Sequence, residues 1–181
     1  MKYTLIFSLF FSLLAQAANY TDAALEIGFR QQNGSVDAPA DANAKSGYQV
    51  GVSGAFPISD ALSFRSGLFY VEKAIESETS PSNKQDLKFT YFQVPVTLLV
   101  KFMDYAGVYG GVNLEFNLGD DCGSTNCQDV QSMTTPIVLG ATFKFLPQMG
   151  ANVFFESGSG EVANGVKDFR AVGANLMITF D

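Results

Sequence analysis

The chain lacks histidine and tryptophan entirely, has only two cysteines, and carries few charged residues (16% of 181). The absence of histidine excludes Ser-His-Asp and Cys-His hydrolysis and any histidine-ligated metal site. A net charge of −7 argues against binding to nucleic acid or a general affinity for anionic lipid. These absences favour a protein without a catalytic, cofactor or metal site.

Long hydrophobic runs are also missing once the first segment is set aside. Lys2, the apolar run 5–14 and the small-x-small site at 15–17 predict a signal peptide over 1–17, cleaved after Ala17. The longest later apolar stretch, 94–102, is interrupted by proline, threonine and lysine, so no later segment could form a transmembrane helix. If the mature chain, 18–181, crosses a membrane, it must therefore do so as a closed barrel.

The residues that are present favour strands, with glycine and phenylalanine both abundant at 17 each. Apolar and polar residues alternate with the period of two that is typical of a strand with unlike faces. We predict eight strands, at about 23–32, 47–56, 62–73, 87–102, 107–118, 135–146, 150–158 and 169–180.

The polar faces of these strands decide between a soluble barrel and a membrane barrel. They are rich in glycine, which weakens a water-facing strand but suits the crowded interior of an eight-stranded barrel. Aromatic residues on the same faces could fill the space that the glycines leave (Phe69, Tyr91, Tyr109 and Phe154). A membrane barrel, with its apolar faces toward lipid, is therefore favoured.

The connections between the predicted strands support the same architecture. Short connections (57–61, 103–106 and 147–149) alternate with long ones (33–46, 74–86, 119–134 and 159–168). Outer-membrane barrels have short periplasmic turns and long outer loops. We therefore predict an all-β fold, an eight-stranded antiparallel up-and-down transmembrane β-barrel in the bacterial outer membrane.

Six charged residues are predicted to lie in the barrel interior, where they can form salt bridges: Glu26, Arg30, Arg65, Glu115, Lys144 and Glu156. Such pairing would fill an eight-stranded barrel and leave no continuous pore. A carboxylate pair such as Glu26 and Glu115 could alternatively act as general acid and base. Pairing is the favoured interpretation, so no enzymatic activity is predicted.

Two further features lie in the predicted loops. Cys122 and Cys127 are expected to form a disulfide, because an exported chain folds in an oxidising compartment and a metal would need more than two thiols. The long loops are acidic, which predicts either a solvated surface, divalent-cation bridging to lipopolysaccharide, or capture of a basic partner. These acids are Asp37, Asp41, Glu76, Glu78, Asp86, Asp120, Asp121, Asp129, Glu161 and Asp168, against Lys45, Lys84 and Lys167.

The fourth and fifth predicted strands resemble a known family. Residues 91–102 read YFQVPVTLLVKF and residues 106–111 read AGVYGG. This resembles the pattern aromatic, x, x, Ile-Pro-Leu-Leu-x-Lys, then a Gly-rich strand, of the porin-family outer-membrane β-barrel proteins of the PorT-like group. The motif positions are Tyr91, Pro95, Lys101 and Gly107, and the strand layout is similar to small OmpA-like and OmpX-like barrels.

The resemblance implies an outer-membrane barrel in contact with outer-membrane lipid and lipopolysaccharide. Phe180 resembles the closing aromatic that the barrel-assembly machinery recognises during insertion. Three functions remain open: a structural or surface-interaction barrel with a filled interior, a narrow-channel porin, and a soluble lipocalin-like periplasmic carrier of an apolar ligand.

Overall fold

The computed structural model describes residues 22–36, 41–80, 83–121, 130–158, 160–163 and 166–180. The predicted signal peptide, Cys122 and Cys127 lie outside these residues. No helix in the described ranges is long and apolar enough to cross a membrane. The strands are β1 Asp22–Val36, β2 Asp41–Pro57, β3 Leu62–Ser80, β4 Asn83–Met103, β5 Ala106–Asp121, β6 Met133–Thr134, β7 Ile137–Leu146, β8 Met149–Ser157, β9 Glu161–Ala163 and β10 Val166–Phe180.

Eight of these strands form a closed antiparallel wall in the order β1-β2-β3-β4-β5-β7-β8-β10. Pairing of β1 with β10 closes the barrel, in a register that places Ala23 opposite Phe180 and Arg30 opposite Gly173. The short strands β6 and β9 pair with β5 and β10 at the outer end. The predicted fold class is therefore confirmed.

The two faces of the wall are those of a membrane barrel. Large apolar side chains point outward and are strongly exposed, as at Ile27 (58%), Phe29 (64%) and Val172 (61%). The polar residues that alternate with them on β1, Glu26 and Arg30, are fully buried inside. A soluble carrier would need the opposite arrangement, with the apolar face inward. The wall therefore gives no support to the lipocalin-like alternative.

Aromatic rings fill the space beside inward glycines, as the sequence predicts. An added Cβ on Gly51 would lie 2.6 Å from the Phe69 ring, and one on Gly173 would overlap the Phe154 ring. In the narrow interior, an aromatic ring on one strand therefore occupies the space beside a glycine on the neighbouring strand.

The strands extend further outward than the sequence indicates. The prediction of a loop over 74–86 is wrong, because β3 and β4 remain paired from Ala74 and Lys88 up to Ser80 and Asn83. β1 and β2 likewise continue to Val36 and from Asp41. Backbone hydrogen bonds stabilise these extensions. Such bonds form without the alternation of apolar and polar residues from which the membrane-embedded strands were predicted. The outer end is therefore a continuation of the barrel wall, and some of the acidic residues predicted in loops lie on these extended strands.

Candidate functional site: the barrel lumen

Six charged side chains among the described residues are buried in the barrel lumen, three carboxylates and three cations. No member of this set is more than 7% exposed: Glu26, Glu115, Glu156, Arg30, Arg65 and Lys73. Successive side chains of a strand point alternately inward and outward, and each of these six lies at an inward position. Their formal charges cancel, so the centre of the lumen is polar but neutral.

Glu26 is the centre of the periplasmic half of this network. Its Oε1 accepts a hydrogen bond from Arg65 Nη2 at 2.6 Å and another from the Ser53 hydroxyl. Its Oε2 accepts bonds from Asn152 Nδ2 at 2.6 Å and Asn175 Nδ2 at 2.9 Å. A carboxylate removed from water needs this number of donors to offset the loss of hydration.

Arg65 also has a partner for its planar face. Its guanidinium carbon lies 4.6 Å from the centre of the Tyr109 ring, close enough for a cation–π contact. The periplasmic half of the network therefore fixes the Arg65 side chain from two directions.

Glu156 is the centre of the outer half. Arg30 Nη2 donates to Glu156 Oε1 at 2.5 Å, and Lys73 Nζ lies 2.8 Å from the same oxygen. Lys73 Nζ also lies 2.7 Å from Glu115 Oε1, so one ammonium bridges two carboxylates. Asn113 Nδ2 donates to Glu156 Oε2 at 2.7 Å, completing the set of donors.

Two amide side chains connect the halves. Arg30 Nη1 donates to Gln49 Oε1 at 3.3 Å, and Gln49 Nε2 donates to Asn175 Oδ1 at 2.9 Å. Asn175 in turn donates to Glu26. A continuous chain of hydrogen bonds therefore crosses the lumen from the periplasmic half to the outer half.

An apolar cluster, here called the outer cap, extends from mid-height, beside the network, to the outer end of the lumen. It combines wall residues of β3 and β4 with residues of β9 and β10, and the Phe89 and Phe169 rings meet edge to face at 6.0 Å. Its members are Phe69, Val71, Ile75, Leu87, Phe89, Tyr91, Val162, Ala163, Val166 and Phe169. The cap narrows the outer end of the lumen and leaves a cavity of about 40 Å³ beside Lys73 and Glu115, which has room for about one water.

The cavities within the lumen are small. One of about 50 Å³ lies at the periplasmic end, beside Arg65, Lys101 and Lys144. Another of about 20 Å³ lies at mid-height, beside Gln93 and Pro95. Spaces of this size hold single waters or small groups of them.

The structure places the predicted interior charges in two groups. Glu26, Arg30, Arg65, Glu115 and Glu156 lie in the buried network, whereas Lys144 is half-buried and lines the periplasmic cavity. Sequence reasoning missed Lys73. The signal was available, since Lys73 continues the inward period of β3 from Arg65, but its position beside a predicted loop concealed it.

The four motif residues lie on β4 and β5 but serve different parts of the barrel. Tyr91 belongs to the outer cap, and Lys101 faces Gly107 across the two strands at the periplasmic end. Pro95 lies mid-strand, and its carbonyl accepts a hydrogen bond from the Ser66 hydroxyl at 2.8 Å. That bond satisfies the Pro95 carbonyl, while Pro95 itself has no N–H to donate to the neighbouring strand.

The contacts of these charged side chains favour a role in filling the lumen over a role in catalysis. Each lumen carboxylate is bound by a cation and by amide or hydroxyl donors, so Glu26 and Glu115 belong to two separate ion pairs. Among the described residues, no three side chains of Asp, Glu or Cys come together as a metal site would require.

Comparison with solved structures gives the same architecture at low sequence identity. Neisserial surface protein A (NspA) is 15% identical, with a TM-score of 0.56 over 87% of this chain and 97% of its own. Ail of Yersinia pestis is 13% identical, with a TM-score of 0.54 over 88% and 98%. OprG of Pseudomonas aeruginosa is 15% identical, with a TM-score of 0.52 over 87% and 93%. These likenesses establish the fold.

Comparison with curated protein sequences gives no match. A family model described as "outer membrane protein beta-barrel domain" matches residues 14–159, well over half of the chain. With its closed wall, lipid-facing exterior and polar lumen, this chain therefore belongs to the family of outer-membrane β-barrel domain proteins and resides in the bacterial outer membrane.

Proposed function

We propose that this protein is a sealed surface-interaction barrel that neither conducts solutes nor catalyses a reaction, and that its outer strand extension contacts a partner. The observation that carries the proposal is the neutral network across the lumen, together with the outer cap. A solute would have to break several charge-assisted hydrogen bonds in a water-poor space, each stronger than a neutral one. The part left for function is then the surface outside the membrane.

That surface is acidic along the strand extension. Glu76, Glu78 and Asp86 lie on the paired ends of β3 and β4, and Asp120 and Asp121 end β5. Some of this charge is locally engaged, since Asn43 donates to Glu76 and Glu78, and Lys45 forms an ion pair with Asp86. A wall of fixed carboxylates attracts cations and steers basic partners toward it.

The chemistry of the partner follows from this charge. One solved structure of Ail is a complex with a heparin analogue, sucrose octasulfate, which is a polyanion. The acidic extension of the present chain would repel such a ligand. We therefore propose a basic partner, such as a cationic peptide segment, in place of a sulfated sugar.

The sealed lumen predicts no stable conductance. Purified protein inserted into planar bilayers should give no step openings at ±100 mV, because hydrated ions do not fit in cavities of about 20 to 50 Å³. A known general porin inserted from the same detergent provides the control for insertion. Large, long-lived openings would contradict the proposal and favour the narrow-channel alternative.

The acidic extension predicts binding of a cationic probe. A fluorescent hexalysine peptide should bind the protein in zwitterionic nanodiscs, and Glu76→Gln with Glu78→Gln should weaken that binding about threefold to tenfold at low salt. Asp60→Asn, in an exposed turn between β2 and β3, is the matched control and should change nothing. Equal weakening by Asp60→Asn, or no weakening by the pair, would contradict a specific acidic surface.

A further inference from the structure

The seam between β1 and β10 is irregular at its outer end. Asn33 pairs with Arg170, but Ser35 pairs with Lys167, so β10 holds one extra residue there. Asp168 takes the left-handed backbone conformation, with φ of 54°. Aspartate enters that conformation more readily than most non-glycine residues, and a bulge of this kind redirects the side chains beside it.

The irregularity opens a groove of about 240 Å³ in the wall, here called the seam groove. It is lined by Asn33, Gly34, Ser35, Asp168 and Arg170. Of these, Asn33, Ser35, Asp168 and Arg170 are exposed. Gly34 lies on the inward face behind the groove, where an added Cβ would lie 3.2 Å from the Lys167 carbonyl oxygen and 3.8 Å from the Phe169 ring.

The groove lies at the level of the outer lipid headgroups. Arg170 precedes Phe180, the exposed periplasmic end of β10, by ten positions on the same outward face. At about 3.4 Å per residue and a tilt of about 40°, that separation is about 26 Å along the membrane normal, close to the height of about 25 Å of a lipid-facing apolar band. Val172, just below Arg170, is still lipid-exposed.

The groove differs in charge from the rest of the outer end. Arg170 presents a guanidinium at the lipid boundary, and Asn33 and Ser35 add neutral polar groups on the facing strand. A guanidinium binds a phosphate through two parallel hydrogen bonds, which a lone ammonium does not provide. Asp168 lies two residues before Arg170 on the same strand, and its carboxylate accepts a hydrogen bond from the Gly160 N–H. Arg170 is therefore the one cation among the lining residues, and the site takes one phosphate.

We propose that the seam groove is a binding site for one phosphate group of an outer-leaflet glycolipid, with Arg170 as the principal ligand. The occupant is the membrane lipid and not free phosphate, because the groove opens sideways, directly above the lipid-facing side chains of Phe29 and Val172. The net negative charge of the whole chain gives no general attraction for such lipids, so the affinity depends on this local geometry. The site rests on the outer-membrane location and is independent of the acidic extension.

The test is native mass spectrometry of detergent-solubilised protein titrated with bisphosphorylated lipid A. Wild-type protein should retain one adduct that Arg170→Ala weakens about threefold to fivefold, with Arg170→Lys in between. Lys88→Ala is the matched control, since it removes an exposed positive charge further out along β4 and should leave binding unchanged. Lipid A stripped of its phosphates should give no retained adduct, and inorganic phosphate should not compete.

Two outcomes would overturn the site. In one, Arg170→Ala binds as wild type does; in the other, Arg170→Ala and Lys88→Ala weaken binding equally, which indicates diffuse charge attraction. Competition by inorganic phosphate would replace the lipid with a free anion as the occupant. None of these outcomes alters the conductance or hexalysine results, so failure of this site is distinguishable from failure of the proposed function.

Discussion

Replacing Glu156 with alanine is expected to lower the free energy of unfolding by about 3–5 kcal/mol, the cost of removing one partner from a buried ion pair. Glu156 accepts hydrogen bonds from Arg30, Lys73 and Asn113, and its side chain is only 2% exposed. Without it, the buried network keeps three cations and two carboxylates. The uncompensated positive charge could then be hydrated only poorly, because the cavity beside Lys73 is about 40 Å³ and has room for about one water.

The measurement is a urea titration in lipid vesicles, following the migration difference between folded and unfolded protein on unboiled gels. Glu156→Gln should be less damaging, because an amide oxygen still accepts a bond from Arg30 although the charge is lost. Asp60→Ala removes an exposed carboxylate from a periplasmic turn and should leave the midpoint within about 0.5 kcal/mol of wild type.

A paired replacement separates charge balance from packing. Arg30→Met combined with Glu156→Leu leaves a neutral lumen and should recover part of the stability, since an apolar pair can replace a buried ion pair at little net cost. If the double variant were no more stable than Glu156→Ala, the loss of stability in Glu156→Ala would be explained by packing and not by charge. A Glu156→Ala midpoint equal to wild type would contradict the network itself.

Adding a single methyl group at Gly51 is expected to prevent folding or to destabilise the barrel beyond the usual overpacking cost of about 1–3 kcal/mol. A Cβ at this position would overlap the backbone carbonyl oxygen of Leu68 and lie 2.6 Å from Phe69 Cδ1. The carbonyl belongs to the facing strand and cannot move without breaking the β2–β3 register. The Phe69 ring is held by the outer cap.

Gly119→Ala is the control for the Gly51 prediction. It adds the same methyl group to a strand glycine, but a Cβ at Gly119 would meet no atom within 4 Å. Yield of the heat-modifiable folded form after refolding into vesicles measures both variants. Normal folding of Gly51→Ala would show that the wall can separate at this point, whereas a loss with Gly119→Ala would indicate a general intolerance of alanine in these strands.

The sequence by itself determined the membrane barrel. Period-two alternation and glycine on the polar faces are local properties of each strand, so residues such as Glu26 and Arg30 could be assigned to the interior one strand at a time. The alternation of short turns with longer connections then set the strand count and direction. These inferences needed no knowledge of which residues meet across the lumen.

Partner choice in the lumen required the tertiary structure. Glu156 meets Arg30 and Lys73 from strands far away in sequence, and only closure of the barrel and its stagger bring the three to one level. The same holds for the outer cap, whose Val162 and Phe169 come from a region predicted as a loop or at its edge. The local sequence does not explain why these residues are apolar; their packing against β3 and β4 in the folded barrel does.

The length of the outer strands was also decided only by the tertiary structure. Polar residues such as Glu76 and Asp86 disfavour a strand by local pattern, yet they pair because the hairpin below fixes the register and backbone hydrogen bonds extend it. The seam groove arises similarly, from a one-residue slip between β1 and β10 that no local pattern encodes. Local alternation therefore specifies which face a side chain takes, whereas closure of the barrel specifies its neighbours.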